Sequence, residues 1–356
     1  MADAQETNAR RLRRLAQMRK NESVTQACNT LHEMWEAGGK PDPIVLRSPL
    51  LAAAEERSRL TKLILPRGIA LRFYLLAVFE AQCRLGAGAP WKNVRPLKGV
   101  GSWSDLIAID GAYDTATNTY MPAAFRSRKL EDLRLGQVKG ALRTLEGLGE
   151  EDALVTVPRG ARGQRLYESF SLMKESGRGG NQTPDLYTVP TRQWQAAKTI
   201  TIPAAFFLQG WIQVLNPSEI ATWLILRMLS KWAPRKHRTS GVFLTAQPRT
   251  QTFGLRDDAW EDGCQRLLDF GLIRRAEPPG IQGVDESATS LLFSQPARPR
   301  RRYEPHYWQV TDEGLDKDAA AKLDRELNLR QRVLDDTARN RVPGTTAPRR
   351  QSPGAQ

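Results

Sequence analysis

Apolar positions recur at helical spacing in two stretches of the chain, each followed by a pattern that alternates as a strand does. In the first stretch, Ile69, Leu71, Tyr74, Leu75, Val78, Phe79 and Cys83 fit a helix over 68–85. Ser102 is placed as the N-cap of a short helix through Trp103, Leu106 and Ile107. The polar, turn-rich segment 110–129 reads as a loop. A third helix over 132–148 carries Leu135, Val138, Leu142 and Leu145 on one side. Residues 153–157 then read as a strand, 158–163 as a basic turn and 164–173 as a returning strand.

The same order repeats. After Ile200-Thr201-Ile202-Pro203, a long helix runs from Ser218 through Trp223 and Leu226 to Trp232. Thr245 caps a short helix ending near Phe253, and 255–270 is a third helix with Trp260, Cys264, Leu267 and Leu268 on one side. Gly271-Leu272-Ile273 leaves it into a strand that Arg274 and Arg275 extend, and 303–310 returns after a long irregular connection. The division this predicts is a flexible basic arm over 1–22, a helix and linker over 23–66, a first unit over 67–175, a linker over 176–199, a second unit over 200–310, a helix over 311–338 and a disordered tail over 339–356. The final helix is expected to be capped by Thr311-Asp312-Glu313.

Charge narrows the partners. Lys and Arg number 53 against 39 Asp and Glu, a formal +14 that favours a polyanion. The most apolar segments are interrupted by Gln209, Asn216, Glu219 and Arg227, too often for a spanning helix, and no apolar stretch follows the first residues as in a secretory signal, so the expected location is the cytoplasm. Cys28, Cys83 and Cys264 form no CxxC pair, which excludes zinc fingers and suits reduced thiols. Cys28 and His32 have a spacing that could serve a metal, but no second pair lies near them. The glycines from Gly86 to Lys92 do not make a P-loop, and three scattered histidines do not make a nicking enzyme. The reading is of a non-enzyme without cofactor or metal.

The segment from Leu267 to Ile273, preceded by the 245–254 helix and turn, resembles the recognition-helix exit of bacterial winged helix-turn-helix proteins, and Ala141 to Gly149 followed by 153–157 resembles it too. The resemblance covers about 67–310 and implies an α+β, mostly helical fold with two winged-helix domains in tandem. More loosely, the tandem with a basic arm is similar to replication initiators of plasmids. The inserted segment 110–129 departs from the compact form.

At about 100° per residue, the positions opposite Val138 and Leu142 are Gly136, Gly140 and Arg143, flanked by Gln137 and Lys139. Arg and Gln suit guanine and adenine edges, and glycine admits a close backbone approach. Arg134, Gln137, Lys139 and Arg143 are thus the expected base-reading set, with Arg159, Arg162 and Arg165 on the adjacent wing. The second unit's third helix holds two arginines against five acids from Arg256 to Asp269, with Asp258, Ala259, Asp262, Arg266 and Asp269 facing outward, so it is expected to face protein. Its unit's DNA contacts are assigned to Arg235, Lys236, Arg238, Arg274, Arg275, Arg300, Arg301 and Arg302, and those of the arm to Arg10, Arg13 and Arg14.

The function these residues predict is sequence-specific binding of double-stranded DNA by a replication initiator of a plasmid or similar element. The alternatives are a transcriptional repressor and a non-enzymatic scaffold. The expected partners are DNA, a second copy through the second unit, and, for an initiator, a helicase or its loader.

Overall fold

The computed structural model describes residues 2–52, 58–64, 68–109, 111–114, 119–122, 130–191, 198–276 and 306–339. It is mostly helical with small two-stranded sheets, in keeping with the α+β expectation. Helix α1 (Ala2–Lys20) is followed by α2 (Ser23–Ala37) and β1 (Ile44–Arg47), then α3 (Arg59–Ile64) and α4 (Ala70–Arg84). A 3-10 turn at Trp103–Leu106 leads to a hairpin of β2 (Gly111–Asp114) and β3 (Thr119–Pro122), helix α5 (Leu130–Glu146), and paired strands β4 (Val155–Thr156) and β5 (Ser171–Leu172).

Strand β6 (Thr199–Ile202) precedes α6 (Ala205–Leu208), α7 (Trp211–Val214), α8 (Pro217–Trp232), α9 (Pro234–Thr239), α10 (Ala246–Gln251) and α11 (Asp257–Asp269). Strands β7 (Ile273–Arg275) and β8 (Trp308–Val310) pair antiparallel, and α12 (Ala319–Arg339) follows. Val242 pairs with Trp308 on the other side of β8, through reciprocal backbone bonds of 2.7 and 2.8 Å.

Two cores are recognisable. In the first unit, Phe73, Trp91, Trp103 and Phe170 pack with ring centroids 5.2–5.9 Å apart at the closest pairs. In the second, Phe206 stacks on Trp223 at 4.5 Å, and α11 lies so close on α8 that a Cβ at Gly263 would sit 2.8 Å from Thr222 Oγ1. Helix α8 starts well: Pro217 is its first residue, and Glu219 accepts the Asn216 N–H at 2.9 Å in a capping box.

Several expectations are corrected. The basic arm is not loose: α1 packs along α12, burying Leu15 and Met18, while Asn8 Nδ2 donates to Leu327 O and Gln331 Oε1, both at 2.9 Å. Arg11 points inward to Glu219, with Nη2 to Oε2 at 2.7 Å. The two linkers are also structural. Strand β1 pairs with β6, Ile44 opposite Ile202, so a segment ahead of the first unit is stitched to the start of the second. Residues around Tyr187 extend the first unit's sheet, since Tyr187 N–H donates to Leu172 O at 2.8 Å and accepts from Trp91 N–H at 2.9 Å.

Within 110–129 the expected loop contains the β2–β3 hairpin, with Tyr113 opposite Tyr120. The last helix begins at Ala319 rather than Thr311, because Leu315 is buried in a turn where its carbonyl accepts Trp211 Nε1–H at 3.0 Å. Trp232 is 52% exposed, whereas Trp223 and Trp260 are buried. The expected long connection of the second unit from 277 to 305, with Arg300, Arg301 and Arg302, and the tail from 340 lie outside the described residues. No described helix is long and apolar enough to cross a membrane.

Candidate nucleic-acid interface

Helix α5 turns Val138, Leu142 and Leu145 fully into the core, and the opposite side emerges as projected: Gly136 and Arg143 are exposed and Gly140 is half-buried between them. No described atom comes within 4 Å of a Cβ built on Gly136 or Gly140. A glycine inside a helix costs about 1 kcal/mol relative to alanine. The fold recovers nothing for these two in packing, whereas Gly263 of α11 is required by its contact with α8.

Alanine at Gly136 or Gly140 is therefore expected to raise stability by up to about 1 kcal/mol each in urea denaturation, while Gly263→Ala lowers it. If the backbone of α5 meets a ligand closely, the first two variants lose binding while gaining stability. Stabilised variants with unimpaired DNA affinity would remove the glycines from the interface.

Not every predicted reader stays on this face. Arg134 is buried, 4% exposed, donating to Gln26 Oε1 at 2.8 Å and lying 4.0 Å from Asp105. Burial holds its guanidinium below the ordinary arginine range despite Asp105, so it cannot enter a groove. Lys139 is half-buried with Nζ 5.6 Å over the Tyr167 ring, and Arg165 donates to Glu146 Oε2 at 2.9 Å. These two contacts fasten the turn after β4 to α5. Arg159 and Arg162 remain exposed at its tip. Gln137 turns sideways into a cleft that Arg10 and Arg14 of α1 also line. Arg13 is on the surface, paired with Glu6 at 2.8 Å.

A second basic cluster forms where α9 meets the β7–β8 ribbon. Gln309 holds it together: its Nε2 donates to the carbonyls of His237 and Arg238 at 2.7 and 3.1 Å, and its Oε1 accepts from Arg274 Nε at 2.8 Å. Arg235, Lys236 and Arg238 are exposed beside Arg274 and Arg275, with Lys236 Nζ 4.4 Å from the Phe243 ring centroid. Sequence reading finds the cations but not Gln309, whose role rests on contacts about 70 residues apart.

His237 Nε2 accepts the Val310 N–H at 2.9 Å, which requires an unprotonated nitrogen. Burial, then Arg274, Arg227 and Arg238, lower its pKa. Because the folded value lies below the unfolded one near 6.5, the neutral ring contributes stability above that pH. The contribution fades as pH falls from about 6.5 through the lowered value. The difference in urea midpoint between wild type and His237→Gln should therefore shrink from pH 7.5 to pH 5; a constant difference contradicts this.

On α11, Asp262 is exposed, but Arg266 and Asp269 are half-buried, and Arg330 of α12 approaches Asp269 at 3.4 Å. The outward placement of Arg266 and Asp269 is thus corrected: part of that face is covered by this chain's own helix. The Cys28 thiol is pushed up to about 12 by burial, with Asp318 adding to it, and His32 contacts only the Cys28 carbonyl, at 3.2 Å, in the printed geometry. No group of three or more metal-ligating side chains occurs among the described residues. Comparison with protein-family models, curated proteins and solved structures yields no match.

Proposed function

We propose that this chain binds double-stranded DNA sequence-specifically through two winged-helix units, as the replication initiator of a plasmid or similar element. The observation that carries the reading is the outer face of α5, where Gly136, Gly140 and Arg143 stand opposite the core beside a turn presenting Arg159 and Arg162. A helix with a bare backbone and one exposed arginine fits a major groove, and an arginine-tipped hairpin fits the flanking phosphates or minor groove.

The order helix, helix, helix, paired strands occurs in both units, and in the second Val242 adds the third strand position beside Trp308. The cluster of Arg235, Lys236, Arg238, Arg274 and Arg275 supplies a second, base-independent grip. A tandem of this kind suits repeated sites, which is why an initiator is proposed ahead of a repressor.

Selection of bound fragments from a random duplex pool at about 150 mM salt tests this. Enriched direct repeats support the initiator, and a palindrome the repressor. No enrichment overturns specific recognition. Titrations should show log affinity falling linearly with log salt, and Arg159→Ala with Arg162→Ala should reduce the slope by about 2, near 0.9 per phosphate contact. An unchanged slope removes the wing from the interface.

A further inference from the structure

Between α1, α4, α5 and the start of α8 lies a cleft of about 340 Å³, at the lower end of the ~300–1,000 Å³ typical of small-molecule sites. Three arginines from two helices line it: Arg10 and Arg14 from α1, and Arg72 from α4. Arg72 is anchored by donating to Ala108 O at 3.1 Å. Ser218, in the first turn of α8, adds a hydroxyl, and Gln137 of α5 an amide. The only acid near this rim that the described contacts place, Glu219, is consumed by Arg11 and the α8 cap, and it does not line the cleft. Beneath the rim the lining is apolar and buried, with Leu15, Ile109 and Leu215 among its residues.

A cationic rim over an apolar floor selects a ligand with two parts. The guanidinium groups and the hydroxyl match phosphoryl oxygens, and the floor matches a flat, poorly hydrated body. We propose that this cleft binds a small phosphorylated organic molecule of mononucleotide size. A DNA backbone offers the same phosphate chemistry, but a phosphate–sugar strand has no use for a buried apolar floor.

The test uses the full chain without DNA, so its outcome is independent of the proposed function. Isothermal titration with ATP, then with GTP, CTP and UTP, is expected to show saturable binding of at least one at or below ~1 mM. Two variants locate the site. Arg10→Glu changes an exposed residue, and Ser218→Glu places a carboxylate in the first turn of α8, where the helix dipole favours it and the fold is retained. Both should melt at or above the wild-type temperature yet bind the nucleotide at least ~10-fold more weakly.

Binding that survives both substitutions in folded protein overturns the assignment. Absence of heat with all four nucleotides overturns it as well. If a 20-base-pair duplex binds, both variants weaken it, and no nucleotide binds, the cleft is a backbone cradle and the proposal fails.

Discussion

Glu219→Ala should destabilise the chain by about 3–5 kcal/mol, the largest effect expected of any single substitution discussed. The carboxylate side chain is 4% exposed and its partner Arg11 11%, and the change leaves a guanidinium buried without its counter-charge. The same residue accepts the Asn216 N–H, so its loss also removes a helix cap, worth about 1 kcal/mol.

Arg11→Ala should cost nearly as much, for the converse reason. The double variant should cost well below the sum, because no lone charge is then left inside. Arg13→Ala, on the surface beside Glu6, should move stability by less than about 1 kcal/mol. Urea unfolding of the four variants checks this. Indifference at Arg11 would restore the flexible arm that the charge pattern suggests and remove α1 from the fold.

Arg143→Ala should weaken binding to the selected DNA site by about 1–3 kcal/mol, roughly 5- to 150-fold, with little change in affinity for unrelated duplex. The side chain is exposed on the face of α5 opposite the core, so its removal leaves packing intact. Arg266 is the control. It is half-buried, and its guanidinium is pushed down to about 10, by burial first and by Arg330 and Arg11 after it. Its replacement should show in stability and leave DNA affinity nearly untouched. Equal losses of specific binding at the two positions would overturn the division of labour between the units.

Much of this arrangement is legible in the sequence where the determinants are local. The spacing of Val138, Leu142 and Leu145 defines the buried side of α5, and the same projection finds its open side. That projection also places Arg134 on the core side, four residues before Val138; its charge suggested a groove, but Gln26 and Asp105, from distant segments, provide for it inside.

The remaining differences share a cause. Strands β1 and β6 are four residues each and pair across more than 150 positions, with no turn sequence to announce them. Leu12, Leu15 and Met18 do mark an apolar stripe on α1, yet the surface it needs is built from α12. The cleft that gathers Arg10, Arg14, Arg72 and Gln137 comes from three helices and has no sequence signature at all.

The pairing of α1 with α12 has a temporal side. Asn8 bonds to the carbonyl of a residue 319 positions later, which at about 5–20 residues per second a ribosome reaches tens of seconds after α1 has emerged. The first helix made is thus among the last to be docked. Throughout that interval its arginines stand in the nascent chain without Glu219 or Asp324, the acids that later receive Arg11 and Arg19, and any polyanion close to the ribosome competes with a fold still being synthesised.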